Sequence, residues 1–270
     1  MPANRLLVLC SILSAVGLYL TYYVDDQWLW LIIVGLVLSV TTYVFSPKIN
    51  WWWWQRNPPD LAPELAQLLA KHHLFYQALS APEQREFRRR VFLFNAGTNY
   101  LPQGLDKVPQ DIQVIIAAAP VTMTFSEADF LFPKFENVVV YPHIFPSPTY
   151  KEQFHASEVY VPDGVLMFCL EHVLRGFVHP QQYLNLAWYE YAKVFQLSYP
   201  AYDYGDWSST SWEDLERVSQ FSRAALERWV GLPKLDLRAM GIALFFLYPA
   251  GFQQHLPVLY DQLTRVFSSK

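Results

Sequence analysis

Histidine, cysteine and carboxylate side chains at matched spacing are the groups that could hold a catalytic metal. Two such ligands one helical turn apart would point at the same ion. His72 and His73 are adjacent, so on a helix their side chains would point about 100° apart. Glu171 and His172 come nearest to a suggestive pair, for which we favour a structural role. The remaining histidines are scattered and predict no metal site; they are His143, His155, His179 and His255.

Motifs of other chemistries are missing from the sequence. It contains no G-x-S-x-G, Walker loop, G-x-G-x-x-G or C-x-x-C, and its ten glycines leave few loops that could cradle a phosphate. The two cysteines, Cys10 and Cys169, do not make a disulfide scaffold and fit a reducing compartment. Because the net charge is -4, no basic surface favours nucleic acid, and we predict no nucleic-acid partner.

Much of the apolar character of the chain lies near its beginning. Hydrophobic residues make up 53% of the chain and charged residues 16%. Residues 6–24 and 28–45 are uncharged runs, each roughly 27–29 Å long as a helix, which is about the hydrocarbon thickness of a bilayer. A signal peptide fits less well because a second run follows at once. A buried core hairpin fits less well because neither run has a charge. We predict a transmembrane helical hairpin within a membrane anchor over residues 1–56.

The charges around these runs predict their orientation. The turn between them has two aspartates and no basic residue, whereas Arg5 and the amino terminus precede the first run and Lys48 and Arg56 follow the second. The positive-inside rule therefore places both ends in the cytoplasm of a bacterial cell, with the anchor in the inner membrane. Trp51–Trp54 would lie in the headgroup layer, which indoles prefer. Residues 6–54 are thus expected to contact the lipid bilayer.

Residues 60–270 are expected to form one soluble domain, because they have no repeat, low-complexity tract or long linker. Helices, a few strands and further helices follow one another, which predicts an α+β fold. The helical or buried segments are expected at residues 61–79, 80–94, 112–125, 181–197, 212–229, 235–247 and 252–267. Strands are expected at residues 138–141, 158–161 and 164–168, the last two as a hairpin.

Two further segments carry side chains that could bind a partner. The helix that Ser80 and Glu83 are expected to open carries four arginines, for which a solvated face is favoured over a surface for lipid or nucleic acid. They are Arg85, Arg88, Arg89 and Arg90. The aromatic loop 199–207 could bind a ligand or a protein, although capping of the preceding helix is the favoured interpretation.

Several blocks of the sequence resemble a known family. Val138–Phe145, Gly164–Phe168, Val173–Gly176 and Asn185–Trp188 follow one another as in the Mlc titration factor A family of glucose-regulated zinc metallopeptidases. The resemblance covers roughly residues 75–268. It implies a zincin-like domain with a small sheet and several helices, and a zinc site on the helix that follows the last block.

The decisive motif departs from the family pattern. In the family, His-Glu-x-x-His supplies two zinc ligands and a glutamate that polarises the bound water. The matching stretch here has Tyr189 and Lys193 at the two histidine positions, and Glu190 is retained. The third ligand of the family would fall at Asp236. A phenol of pKa about 10 and an ammonium of pKa about 10.4 are poor zinc ligands, and Lys193 is expected to pair with Glu190 or Asp236 instead.

The resemblance and its departure together predict a membrane-anchored pseudoenzyme. The soluble domain is expected to bind no cofactor and to act as a binding or regulatory module. Its partner in that role could be a protein. The alternative is an active zinc-dependent peptidase of the same family whose ligands lie elsewhere in the chain. A third interpretation is a structural protein at the bilayer that has no ligand.

Overall fold

The computed structural model describes residues 1–268 and divides the chain into two units, Met1–Pro59 and Asp60–Lys270. The first unit has three helices: α1 spans Pro2–Tyr23, α2 spans Leu29–Val44 and α3 spans Ser46–Arg56. α1 and α2 pack against each other as a hairpin. The prediction of two N-terminal apolar helices in a hairpin is therefore confirmed.

The turn and the packing of the hairpin have local causes. Asp25 caps the turn, because its carboxylate accepts a hydrogen bond from the backbone N–H of Gln27 at 3.1 Å. Gly17 lies where the two helices approach closely, since a Cβ atom there would lie only 2.8 Å from the Cβ atom of Leu31. Small residues of this kind are typical of tightly packed helices in membranes.

Both helices of the hairpin are long and apolar enough to cross a bilayer. Pro2–Tyr23 has 22 residues and Asp26–Val44, which includes the turn, has 19; only 6% of the apolar window in each is buried. About 20 apolar residues are needed for one crossing. A signal sequence or the core helix of a soluble protein would meet the same criterion of length and composition. Insertion into a membrane is therefore still a prediction.

The helix α3 holds the four consecutive tryptophans Trp51–Trp54. The side-chain oxygen of Asn50 accepts a hydrogen bond from the backbone N–H of Ala3 at 3.2 Å, which ties α3 to the beginning of α1. Trp52 and Trp53 are 52% and 41% exposed, whereas the other two indoles are half-buried. The four side chains thus point in different directions, as expected for consecutive residues on a helix.

A four-stranded mixed sheet lies in the second unit. Its strands are β1 (Asn99–Pro102), β2 (Asn137–Tyr141), β3 (Ser157–Tyr160) and β4 (Val165–Cys169). Their order in the sheet is β1-β2-β4-β3. Strands β1, β2 and β4 are parallel to one another, and β3 is an antiparallel edge strand beside β4. The predicted hairpin of β3 and β4 is confirmed, and Gly164, with a φ of 63°, allows its tight turn.

Eleven described helices complete the second unit. They are α4 (Pro63–His72), α5 (Leu74–Ala78), α6 (Ala81–Ala96), α7 (Gln110–Met123), α8 (Leu170–Val178), α9 (Leu186–Ser198), α10 (Trp212–Ser219), α11 (Arg223–Val230), α12 (Leu237–Leu247), α13 (Pro249–His255) and α14 (Pro257–Ser268). Together with the sheet they confirm the predicted α+β class.

Three predicted helices are interrupted in the structure. The segment 61–79 breaks at His73, whose Nδ1 atom accepts from the backbone N–H of Tyr76 and so starts α5. The segment 212–229 breaks at Gln220, which adopts a left-handed conformation with a φ of 63°. The final segment breaks before Pro257, because a proline restricts the residue that precedes it to non-helical conformations.

The prediction of a solvated arginine face on α6 is wrong for two of its residues. Arg88 pairs with Asp60 at 2.8 Å, and its side chain is only 16% exposed. The guanidinium of Arg90 donates to the backbone carbonyls of Thr124 and Phe125, just beyond α7, and its side chain is 13% exposed. These arginines therefore fasten α6 to its neighbours, because cations satisfy carbonyl groups left open at the end of a helix.

Candidate active-site region

The helix α9 lies at the centre of the second unit. It packs against α7 and α12, and β3 and β4 also contact it. Asn185 begins the helix by accepting a hydrogen bond from the backbone N–H of Ala187 at 3.1 Å. Its residues from Leu186 to Ala192 are all buried. Any polar side chain in this stretch must find partners within the protein.

Glu190 is the buried carboxylate of α9, and both of its oxygens have a partner. It is 0% exposed. Its Oε1 atom accepts a hydrogen bond from the hydroxyl of Ser157 at 2.7 Å, and its Oε2 atom lies 2.7 Å from the Nζ atom of Lys193. Because Ser157 belongs to β3, this carboxylate fastens the central helix to the edge strand.

Lys193 is held by a carboxylate and an aromatic ring. Its side chain is 23% exposed, and its Nζ atom lies 4.0 Å from the centre of the Tyr189 ring, within the range of a cation–π contact. Desolvation alone would lower the pKa of Lys193, but Glu190 and Tyr189 outweigh it and raise that pKa above its ordinary value. The ammonium is therefore charged at neutral pH.

The side chain of Tyr189 contacts the backbone of Asp236 rather than its carboxylate. The phenol oxygen of Tyr189 accepts a hydrogen bond from the backbone N–H of Asp236 at 2.9 Å. Burial raises the pKa of Tyr189 to about 12, so the phenol is neutral. The carboxylate of Asp236 caps α12, accepting from the backbone N–H of Ala239 at 2.8 Å. Of the two partners expected for Lys193, the ion pair is with Glu190.

These side chains are a poor set of zinc ligands. A catalytic zinc needs three protein ligands and an open position for water. A neutral phenol and an ammonium, which has no lone pair, flank a carboxylate whose oxygens are already engaged. Over residues 1–268, no three His, Cys, Asp or Glu side chains are grouped so that they could hold a metal. The residues present at this position do not fit the zinc that the family resemblance implies.

Comparison with known families shows which family the chain belongs to. A model of the glucose-regulated metallopeptidase M90 family matches residues 49–268, most of the chain. The chain belongs to this family. Nothing among the curated proteins or the solved structures matches it. The resemblance to the glucose-regulated metallopeptidases is thus confirmed, and the match begins earlier than expected, within α3 of the first unit.

The M90 region contains two histidine pairs that sequence reasoning missed. The Nδ1 atom of His172 lies 3.1 Å from the Sγ atom of Cys169, and its ring packs on Trp229 at 4.1 Å between ring centres. The fully buried His155 contacts Glu158 at 3.0 Å. In each pair the two residues are three positions apart in sequence, and that spacing could have predicted the contact.

Glu171 and His172, for which a structural role was predicted, make contacts of that kind. The carboxylate of Glu171 lies 3.1 Å from the Nδ1 atom of His143. The thiol of Cys169 is buried, and desolvation raises its pKa, so that it stays protonated. A thiol in this state is a weak nucleophile. These contacts support structural roles for His143, His155 and His172.

Proposed function

We propose that this chain is a membrane-anchored, catalytically inactive member of the M90 metallopeptidase family. Its second unit acts as a binding or regulatory module, and its first unit inserts into the inner membrane with both ends in the cytoplasm. The observation that supports the loss of catalysis is the ion pair between Lys193 and Glu190, whose charged atoms are 2.7 Å apart. The exposed apolar hairpin supports the membrane anchor.

In this account Tyr189 and Lys193 stand at the positions at which the family motif has its two histidines. At those positions a zinc ion would bring positive charge next to the motif glutamate, and here the ammonium of Lys193 brings it. Glu190 forms an ion pair with that ammonium and also accepts from Ser157, so both of its oxygens already have protein partners. The hydrogen bond from Ser157 keeps α9 attached to β3, and the ion pair balances the charge of the buried carboxylate, while the hydrolytic chemistry is lost.

Membership of a metallopeptidase family favours one alternative, an active zinc peptidase. Its ligands would have to come from side chains other than Tyr189 and Lys193, and they would have to move together when the metal binds. Peptide hydrolysis by the purified full chain distinguishes the two functions. We expect no hydrolysis above that of a Glu190→Gln preparation, with or without added zinc. Hydrolysis that disappears both in Glu190→Gln and on chelation would establish the peptidase.

A further inference from the structure

An open groove lies at the end of the first unit that is remote from the Asp25 turn. It has a volume of about 600 Å³ and lies between the beginning of α1 and the helix α3. Its lining includes Arg5, Leu6, Ile49, Trp52, Trp53 and Trp54. Small-molecule sites occupy about 300–1,000 Å³, so the groove is large enough for a molecular ligand.

The walls of the groove are amphipathic. Leu6 and Ile49 give it an apolar side, and the indoles combine an apolar ring with an N–H donor. Arg5, which is exposed, is the basic side chain that lines it. Trp52 and Trp53 are themselves largely exposed, as is typical of indoles that lie among lipid headgroups.

The charge of the first unit is divided between its two ends. Its basic side chains, Arg5, Lys48 and Arg56, all lie at the end that holds the groove. Its two acidic residues lie at the turn, about 30 Å away along α1 at 1.5 Å per residue. No carboxylate of this unit is therefore close enough to neutralise Arg5. The groove is complementary to an anion.

The surface next to the groove is apolar and would suit an anion that also has an apolar part. Val8, Leu9 and Ile12 follow Arg5 along α1 and are 58%, 62% and 54% exposed. A ligand whose charged group lay beside Arg5 would therefore continue along an apolar helix surface. We propose that the groove binds the phosphate headgroup of an anionic phospholipid, with the acyl chains lying along α1. This inference rests on the proposed membrane insertion of the hairpin.

Lipid retention by the full chain tests the inference. The protein is reconstituted into nanodiscs of equal phosphatidylglycerol and phosphatidylcholine and then released for native mass spectrometry, which identifies the lipids that stay bound. We expect phosphatidylglycerol to be retained in clear preference. Arg5→Gln should reduce that preference about fivefold, the factor that one surface cation contributes, and Arg5→Lys should retain most of it. Lys48→Gln removes a cation of the same end that does not line the groove, and it should reduce the preference clearly less than Arg5→Gln does.

Separate readouts distinguish the failure of this inference from the failure of the proposed anchor. Resistance of the protein in vesicles to carbonate extraction reports insertion independently of lipid preference. Extraction by carbonate would refute the anchor and this inference with it. Insertion without lipid preference, or an equal loss in Lys48→Gln and Arg5→Gln, would refute the inference alone. Displacement of the bound lipid by soluble glycerol phosphate would show a site for a free anion and would also refute it.

Discussion

The Nζ atom of Lys193 lies 2.7 Å from the Oε2 atom of Glu190, three residues earlier on the same helix. The other oxygen of that carboxylate is bound by Ser157, on the edge strand of the sheet. A charge pair in the middle of a buried helix is costly to desolvate, so it persists only where its hydrogen bonds are well formed. The stability of α9 therefore depends on the carboxylate of Glu190 and its two partners, Ser157 and Lys193.

Glu190→Gln is expected to destabilise the protein without changing any enzymatic rate. Removing one partner of a buried pair costs about 3–5 kcal/mol, and the partial exposure of Lys193 favours the lower end of that range. Denaturant unfolding of the full chain in detergent measures the loss. Glu227→Gln is a matched control, because it breaks the more exposed pair with Arg223, also 2.7 Å long, and should cost less than about 1 kcal/mol. Equal losses in the two variants would argue against a special role for the buried pair.

Replacing both partners of the pair should cost less than the sum of the single replacements. In Glu190→Gln with Lys193→Met, Gln still offers an oxygen to Ser157, and no buried charge is left without a partner. We expect a favourable coupling free energy of about 1–3 kcal/mol in this double-mutant cycle. Unfolding free energies of the four proteins provide it. Strict additivity would mean that the 2.7 Å contact makes no net contribution to stability.

Alkaline pH should weaken the pair, but only well above neutrality. Because the folded-state pKa of Lys193 is raised, its contribution to stability is fully present below its unfolded pKa of about 10.4 and is lost as the pH rises toward the folded value. The difference in unfolding free energy between the unmodified protein and the double variant should thus be constant from pH 7 to about pH 10. A difference that already shrinks between pH 7 and pH 9 would contradict the assigned protonation.

Much of the fold could be predicted from local sequence, since its signals are local. Ser80 and Glu83 form the expected capping box, and the β-branched run before Tyr141 forms a strand. β1 escaped prediction because Asn99 and Pro102 have little preference for strands. α8 was missed although the apolar spacing of its residues was visible in the sequence.

The candidate site was less accessible to sequence reasoning. Tyr189, Glu190 and Lys193 were singled out by family resemblance, and their mutual contacts follow from their positions on one helix. Ser157 was not predicted, because it precedes Glu190 by 33 residues and reaches it only through the sheet. Asp236 was expected to offer its carboxylate and instead offers its backbone N–H, a distinction that depends on where α12 begins.

The orientation of the hairpin gives a prediction in living cells. Since the basic residues flank the hairpin and the turn is acidic, a reporter fused at residue 26 should lie in the periplasm and one at residue 60 in the cytoplasm. Paired alkaline phosphatase and fluorescent-protein fusions at the two positions measure this. Phosphatase activity at residue 60 would contradict the proposed topology.

The zinc content of the purified full chain tests the central claim most directly. The protein is loaded with excess zinc, dialysed and analysed by atomic emission beside the double variant Tyr189→His with Lys193→His, which places two imidazoles one helical turn apart on α9. We expect the unmodified chain to hold far less than one equivalent, because Tyr189 and Lys193 cannot act as ligands, and the double variant to hold more than its parent. About one tightly bound equivalent of zinc in the unmodified chain would contradict the account and support the active peptidase.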